Sequence, residues 1–173
     1  MKPAALHAEL AALLPRLRRF ARVIVWRRED ADALVQTALA RALARSGQWQ
    51  AGTRLDSWMF RIIKNAWVDE VRGRLGHERA PGLPAQDEHA HAADASAESL
   101  QQDMGQQDVT IVRAVAMLSD DERLVIGLVL ADGLPYKDAA EVLDLPVATL
   151  ASRLLRAREA LQSLLSDQAR TVP

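Results

Sequence analysis

Residues Leu134–Leu165 read LPYKDAAEVLDLPVATLASRLLRAREALQSLL, two helices joined by a tight turn, the second long, amphipathic and basic on one side. Leu150, Leu154, Ala157, Leu161 and Leu164 recur at spacings of four, three, four and three, so one apolar stripe faces a core. Thr149, Ser152, Arg153, Arg156 and Glu159 fall on or beside the opposite face. Hydroxyls and guanidinium forks on a rigid helix suit the base edges and phosphates of a DNA major groove. The helix before it, Tyr136 to Leu143, carries Ala139, Ala140, Val142 and Leu143, and such small residues let two helices cross closely. Asp144-Leu145-Pro146 makes the break, because Pro146 disfavours helix at Leu145 and cannot continue the earlier helix. The pattern is that of a helix-turn-helix. An ordinary α-hairpin with solvated arginines fits the same spacing.

The rest of the chain agrees with an all-α reading. Its 173 residues are enough for one medium or two small domains, and alanine, leucine, arginine, glutamate and glutamine dominate while aromatics reach only 4%. Cysteine is absent, which excludes disulfides and thiolate metal sites. Pro15 and a run of arginines follow too soon after Met1 for a secretory pattern. The longest apolar run, Leu124 to Ala131, has eight residues, against the roughly 20 a membrane span needs. A soluble cytoplasmic protein with no membrane span is expected.

The net charge of −1 argues against a nucleic-acid binder, but its distribution does not. Residues 1–73 hold 13 Lys/Arg against 7 Asp/Glu, residues 74–108 hold 2 against 7, and residues 109–173 hold 7 against 9. A basic first segment is thus separated from a nearly balanced second one by an acidic connector.

From Ala4 to Arg28, Leu6, Leu10, Leu13, Leu14, Leu17, Phe20, Val23 and Ile24 recur at helical spacing. Pro15 is expected to break or kink this run, with a second helix beginning there. Arg16, Arg18, Arg19 and Arg22 cluster on it, as a solvated face or a binding one. Asp30 to Ser46 forms the next helix, with acids in its first turn and Leu34, Val35, Ala38, Leu39, Ala42 and Leu43 buried. Gly47 is a plausible stop, and Ser46 to Asp56 reads as a loop. Trp49 within it either packs against the domain or contacts a base. On the helix from Ser57 to about Arg72, Ser57, Arg61, Lys64, Asn65 and Arg72 share one sector, with Trp58, Met59, Ile62, Ile63, Trp67 and Val71 around the rest. Cations beside tryptophans are what binding of a single strand needs, although two core tryptophans and a solvated stripe fit equally.

Gly73 to Gln107 has almost no large apolar residue between Leu83 and Leu100 and reads as a flexible linker. His77, His89 and His91 lie here at spacings that match no closed metal site. The helical period returns from Asp108. Ser119-Asp120-Asp121-Glu122 reads as a capping box opening a helix to about Ala131, which Asp132-Gly133 ends. With the helix-turn-helix, the C-terminal part becomes a four-helix cluster ending near Ser166, with a frayed tail from Asp167.

Three motifs in order resemble the extracytoplasmic-function group of bacterial sigma factors, the small type with only the second and fourth conserved regions. DADALVQTALARAL (Asp30 to Leu43) is similar to the family's DAEDLVQETFLRA helix, and GTRLDSWMFRIIKNAWVDEVR (Gly52 to Arg72) to its SWLFRIARN helix. Leu118 to Leu161 resembles its closing domain, which ends in GTVKSRLxRARxxL. The GT-x-L-x-x-W wording looks closest to the alphaproteobacterial general-stress subgroup. The resemblance implies an all-α fold of two helical domains, residues 1–73 and 108–173, joined by a flexible acidic linker over residues 74–107.

It also implies roles. Asp32, Leu34 and Gln36 would dock on the clamp helices of the largest subunit of core RNA polymerase. The loop carrying Trp49 and Arg54 would capture a flipped base of the minus-10 element, and Arg61, Lys64 and Asn65 would hold the opened strand. Thr149, Ser152, Arg153 and Arg156 would read the minus-35 element of promoter DNA. The acidic linker would thread toward the RNA exit path. No catalytic residue, cofactor or metal is implied. Ala33, Thr37 and Ala38 stand where the family has aspartate, glutamate and threonine, so the docking helix is less acidic than usual. Ala148 and Ala151 replace a glycine and a lysine, and the lost lysine removes roughly one unit of salt slope. Leu155 lies off the core stripe, and an anti-sigma factor is expected to cover it.

An alternative sigma factor directing promoter recognition, melting and initiation is the reading that follows. Its rivals are a sigma-like decoy that titrates an anti-sigma factor and a plain helix-turn-helix regulator. Free in solution, the two domains are expected either to swing on the linker or to clamp together and hide their DNA faces.

Overall fold

The structure is a computed structural model that describes residues 3–25, 27–49, 53–78 and 106–171. Helix α1 spans Pro3–Ile24, α2 Arg28–Ala44 and α3 Leu55–Glu78. Together they form an N-terminal bundle. Leu6, Leu10, Leu17, Phe20 and Ile24 of α1 meet Leu34, Val35 and Ala38 of α2 and Met59, Phe60 and Ile63 of α3, all buried. Phe20 and Phe60 set their rings edge to face with centroids 5.2 Å apart, a geometry in which aromatic quadrupoles attract.

Pro15 does not divide α1. Its missing N–H removes one backbone bond, but the ring is exposed, and Leu10 and Leu17 are buried on either side of it. Anchorage of both halves of the helix in one core keeps the axis continuous. Leu43, expected inside, is 41% exposed. The loop after α2 starts with a short 3-10 turn, Ser46–Gln48.

The C-terminal half contains α4 (Gln106–Ala116), α5 (Asp120–Ile126), α6 (Tyr136–Leu143) and α7 (Val147–Thr171). The capping box is formed: the Glu122 N–H donates to Ser119 Oγ, and the Ser119 N–H donates to the Glu122 carboxylate at 2.9 Å. Helix α5 does not stop at Ile126 but winds on as a π turn, Gly127–Ala131. There the Asp132 N–H reaches back to the Gly127 carbonyl at 3.1 Å, five residues away. Gly133, at φ +75°, then ends it. The break between α6 and α7 falls on Asp144, at φ 55°, a left-handed conformation that aspartate tolerates better than most residues. Leu150, Leu154 and Ala157 of α7 are fully or almost fully buried against α5 and α6. The expected fraying from Asp167 does not occur before Thr171, because the half-buried Leu161 and Leu164 keep the stripe on the bundle.

Among the described residues the fold is all-α, and no helix is long and apolar enough to cross a membrane. Most of the connector, with His89 and His91, lies outside the described residues. The two halves pack directly on each other. Their buried residues form one continuous cluster, with the π turn of α5 against α1 and with α6 along α3.

Candidate nucleic-acid interface

The recognition face of α7 is open. Ser152 and Arg156 are exposed and Thr149 is half-buried. The Ser152 hydroxyl donates to the Thr149 carbonyl at 3.0 Å, which leaves its lone pairs outward. Arg153 turns sideways and pairs with Asp121 of α5 at 2.8 Å. Leu155 is 59% exposed on the same helix.

The basic stripe of α3 is on the surface of its own bundle, and two of its cations pair with the other half. The Arg61 guanidinium donates to the Glu141 carbonyl of α6 and lies 3.7 Å from the Asp144 carboxylate. Lys64 donates to Asp144 at 3.1 Å. Arg54 pairs with Asp138, also on α6. Asn65 stays exposed. Trp49 is half-buried against the N-terminal core, and its Nε1 has no hydrogen-bond partner among the described residues. Trp67, by contrast, is a core residue at 7% exposure.

Of the three residues expected to dock on polymerase, Leu34 is 3% exposed and belongs to the core. Val35 beside it on α2 is buried as well, and α2 packs against both α1 and α3, so neither residue offers surface. Gln36 is exposed, and Asp32 is half-exposed and 3.8 Å from Arg18.

A charged seam that the sequence did not disclose closes the two halves. Arg16 of α1 grips Asp132 through two bonds of 2.7 and 3.1 Å, and Arg19 stands 3.6 Å from the same carboxylate. The Asp132 side chain is 0% exposed, so its charge is acceptable only because these arginines meet it. Arg123 of α5 donates to the Ile24 carbonyl at the end of α1. Gly127 lets α5 approach α1: a Cβ there would lie 2.8 Å from Phe20 Cδ2 and 3.3 Å from Val23 Cγ1. In the sequence, Asp132 stands only as part of a helix stop and Arg16 as one of a run of arginines. Their pairing spans 116 residues, and local pattern carries no trace of it.

Arg16 also reaches Asp56 at 3.1 Å, where Arg54 donates two further bonds, and its guanidinium sits over the Phe60 ring at 5.6 Å. Burial alone would raise the Asp56 carboxyl. Hydrogen bonds from Arg54, the Ser57 N–H and Arg16 outweigh it and hold the group below its ordinary value. Asp132 and Asp56 in turn hold the Arg16 guanidinium above its own. Because the folded carboxyl is the stronger acid, Asp56 contributes stability above the ordinary carboxylate pKa of about 4, and this is lost as pH falls through the lower folded value. Urea midpoints are therefore expected to hold at neutral pH and fall below about pH 4. Asp56→Asn should flatten part of that limb; an identical limb in the variant would rule this carboxylate out as a contributor.

Residues 10–64 match the family model described as the sigma2 domain of PhyR, and residues 108–161 match that of sigma-70 region 4. The ECF RNA polymerase sigma factor EcfG of Rhodopseudomonas palustris is 33% identical over 165 residues, spanning 92% of this chain and 84% of its own. SigM of Mycobacterium tuberculosis, another ECF sigma factor, is 30% identical over 152 residues, with 86% and 71% covered. Among solved structures, the sigma factor RpoE in complex with the anti-sigma factor NepR from Bartonella quintana superposes with a TM-score of 0.74 at 30% identity. That superposition covers 94% of this chain and 97% of that one. The chain belongs to the ECF family of RNA polymerase sigma factors.

Proposed function

We propose that this sigma factor is held in a closed state in which its own helix-turn-helix occupies the strand-binding stripe. The observation that carries this reading is the row Asp138, Glu141 and Asp144 on and just after α6. Two carboxylates and a backbone carbonyl there engage Arg54, Arg61 and Lys64. Those are the positions where an opened promoter strand would bring phosphate oxygens. When the halves part, Arg54, Arg61, Lys64 and Asn65 take the non-template strand of the minus-10 element, with Trp49 beside the flipped base. Thr149, Ser152, Arg153 and Arg156 read the minus-35 element. Asp32 and Gln36 dock on the polymerase clamp helices, with residues 1–73 and 108–173 as the two working units and residues 74–107 as the tether. The factor carries no catalytic group and works in the cytoplasm, where the polymerase supplies the chemistry.

The structural relative is bound to an anti-sigma factor, and its superposition takes in both halves of this chain. A partner of that kind would hold the closed state and cover Leu155. Run-off transcription with purified core polymerase tests the function: transcripts that start only when this protein is added are expected, and none from any promoter of a library would overturn it. A second reading, a decoy for an anti-sigma factor, draws on the PhyR description of the residues 10–64 match and on the less acidic α2. It predicts anti-sigma binding without any transcript.

A further inference from the structure

Closure builds a cleft that neither half has alone. It has a volume of about 480 Å³, and Arg41, Arg45, Lys64, Arg72 and Arg153 line it together with the carboxylates of Asp69 and Asp121. The arginine at position 153 comes from α7, the other four cations from α2, α3 and the residue capping α2. Arg41 pairs with Asp69 at 2.8 Å and Arg153 with Asp121 at 2.8 Å, while Lys64 is held at 3.1 Å by Asp144. Arg45 and Arg72 have no carboxylate partner among the described residues. The lining thus keeps an excess of positive charge in one place, against the mutual repulsion of its members.

We propose that the closed chain binds a small multiply charged phosphate compound, a nucleoside polyphosphate or an inorganic polyphosphate, in this cleft, and that binding locks the two halves together. Guanidinium forks match phosphate oxygens two at a time, and two of them stand uncommitted here. The volume falls within the roughly 300–1,000 Å³ of small-molecule sites. No aromatic side chain lines the cleft, so it lacks the stacking platform that a single nucleic-acid strand uses. Because Arg153 adds a cation from the other half, a ligand here binds the closed form more tightly than the open one, and mass action shifts the population toward closure. The inference rests on closure and not on the promoter assignments.

Calorimetric titration of tripolyphosphate, and separately of ATP, into the full-length protein at constant ionic strength tests it. Saturable one-to-one binding is expected, weakened about tenfold or more by Arg45→Glu combined with Arg72→Glu, which is about 1.4 kcal/mol. Arg153→Ala, in the other half, should weaken it as well, and labels on α2 and α7 should draw together on binding. Circular dichroism checks that the double variant folds, and Arg45→Gln alone repeats the measurement with a milder change. Tighter binding of ATP assigns a nucleotide and equal binding assigns the phosphate chain; both uphold the site. Affinity unchanged in the variants, heat that sodium chloride reproduces, or a preference for a single-stranded oligonucleotide over tripolyphosphate overturns it. No polymerase takes part, so failure here leaves the transcription reading standing, and failure of run-off transcription leaves the cleft standing.

Discussion

Gly127→Leu is expected to open the molecule. The added side chain would meet the Phe20 ring, which is fully buried and braced against Phe60, so the ring cannot swing aside. Overpacking of this kind costs about 1–3 kcal/mol, a shift of roughly five- to 150-fold in the ratio of closed to open chain. The strain falls between α1 and α5 and not inside either bundle, so the halves should part before either melts. Small-angle scattering should record a larger radius of gyration, and promoter DNA should bind the free protein more tightly because Arg54, Arg61 and Lys64 lose their partners on and just after α6. Asp132→Asn tests the same seam without bulk. It leaves Arg16 with only Asp56 as a charged partner, and since Arg16 is 33% exposed, the loss should sit near the lower end of the range for a charged hydrogen bond, about 1.5 kcal/mol. Unchanged dimensions and unchanged DNA affinity in both variants would mean that closure does not control access to the stripe.

The second large effect is expected at Arg156. Its side chain is exposed and has no partner among the described residues to release before it meets DNA, so Arg156→Ala should remove a full base or phosphate contact. The loss of about 1–3 kcal/mol corresponds to roughly five- to 150-fold less transcript from a promoter with a good minus-35 element. Arg153→Ala should cost less, because Arg153 already holds Asp121 and must give up that pair on binding. Equal transcript from wild type and Arg156→Ala would take the recognition helix off the minus-35 element.

Much of this was legible from residues alone. The apolar stripe of α7, the capping box at Ser119 and the break at Asp144 are local, and each has a spacing or a residue type that favours the backbone found there. The surface of α7 was readable for the same reason: Thr149, Ser152 and Arg156 lie away from the side that Leu150 and Leu154 bury. Pro15 was misjudged because propensity weighs one lost hydrogen bond, whereas the core weighs the burial on both sides of it. Leu34 stands on the buried face by helical period and in the docking set by resemblance, and the structure keeps the first placement, at 3% exposure.

The sequence alone determined that the chain is all-α, the order of its helices and which sides of α3 and α7 are polar, because helical period and chain-local chemistry specify them. Tertiary structure decided that one face lies against the other half. Arg16 with Asp132, Lys64 with Asp144 and Gly127 with Phe20 are contacts between residues 80 or more positions apart. Their energy depends on burial and approach distance, quantities that exist only once the two bundles have met.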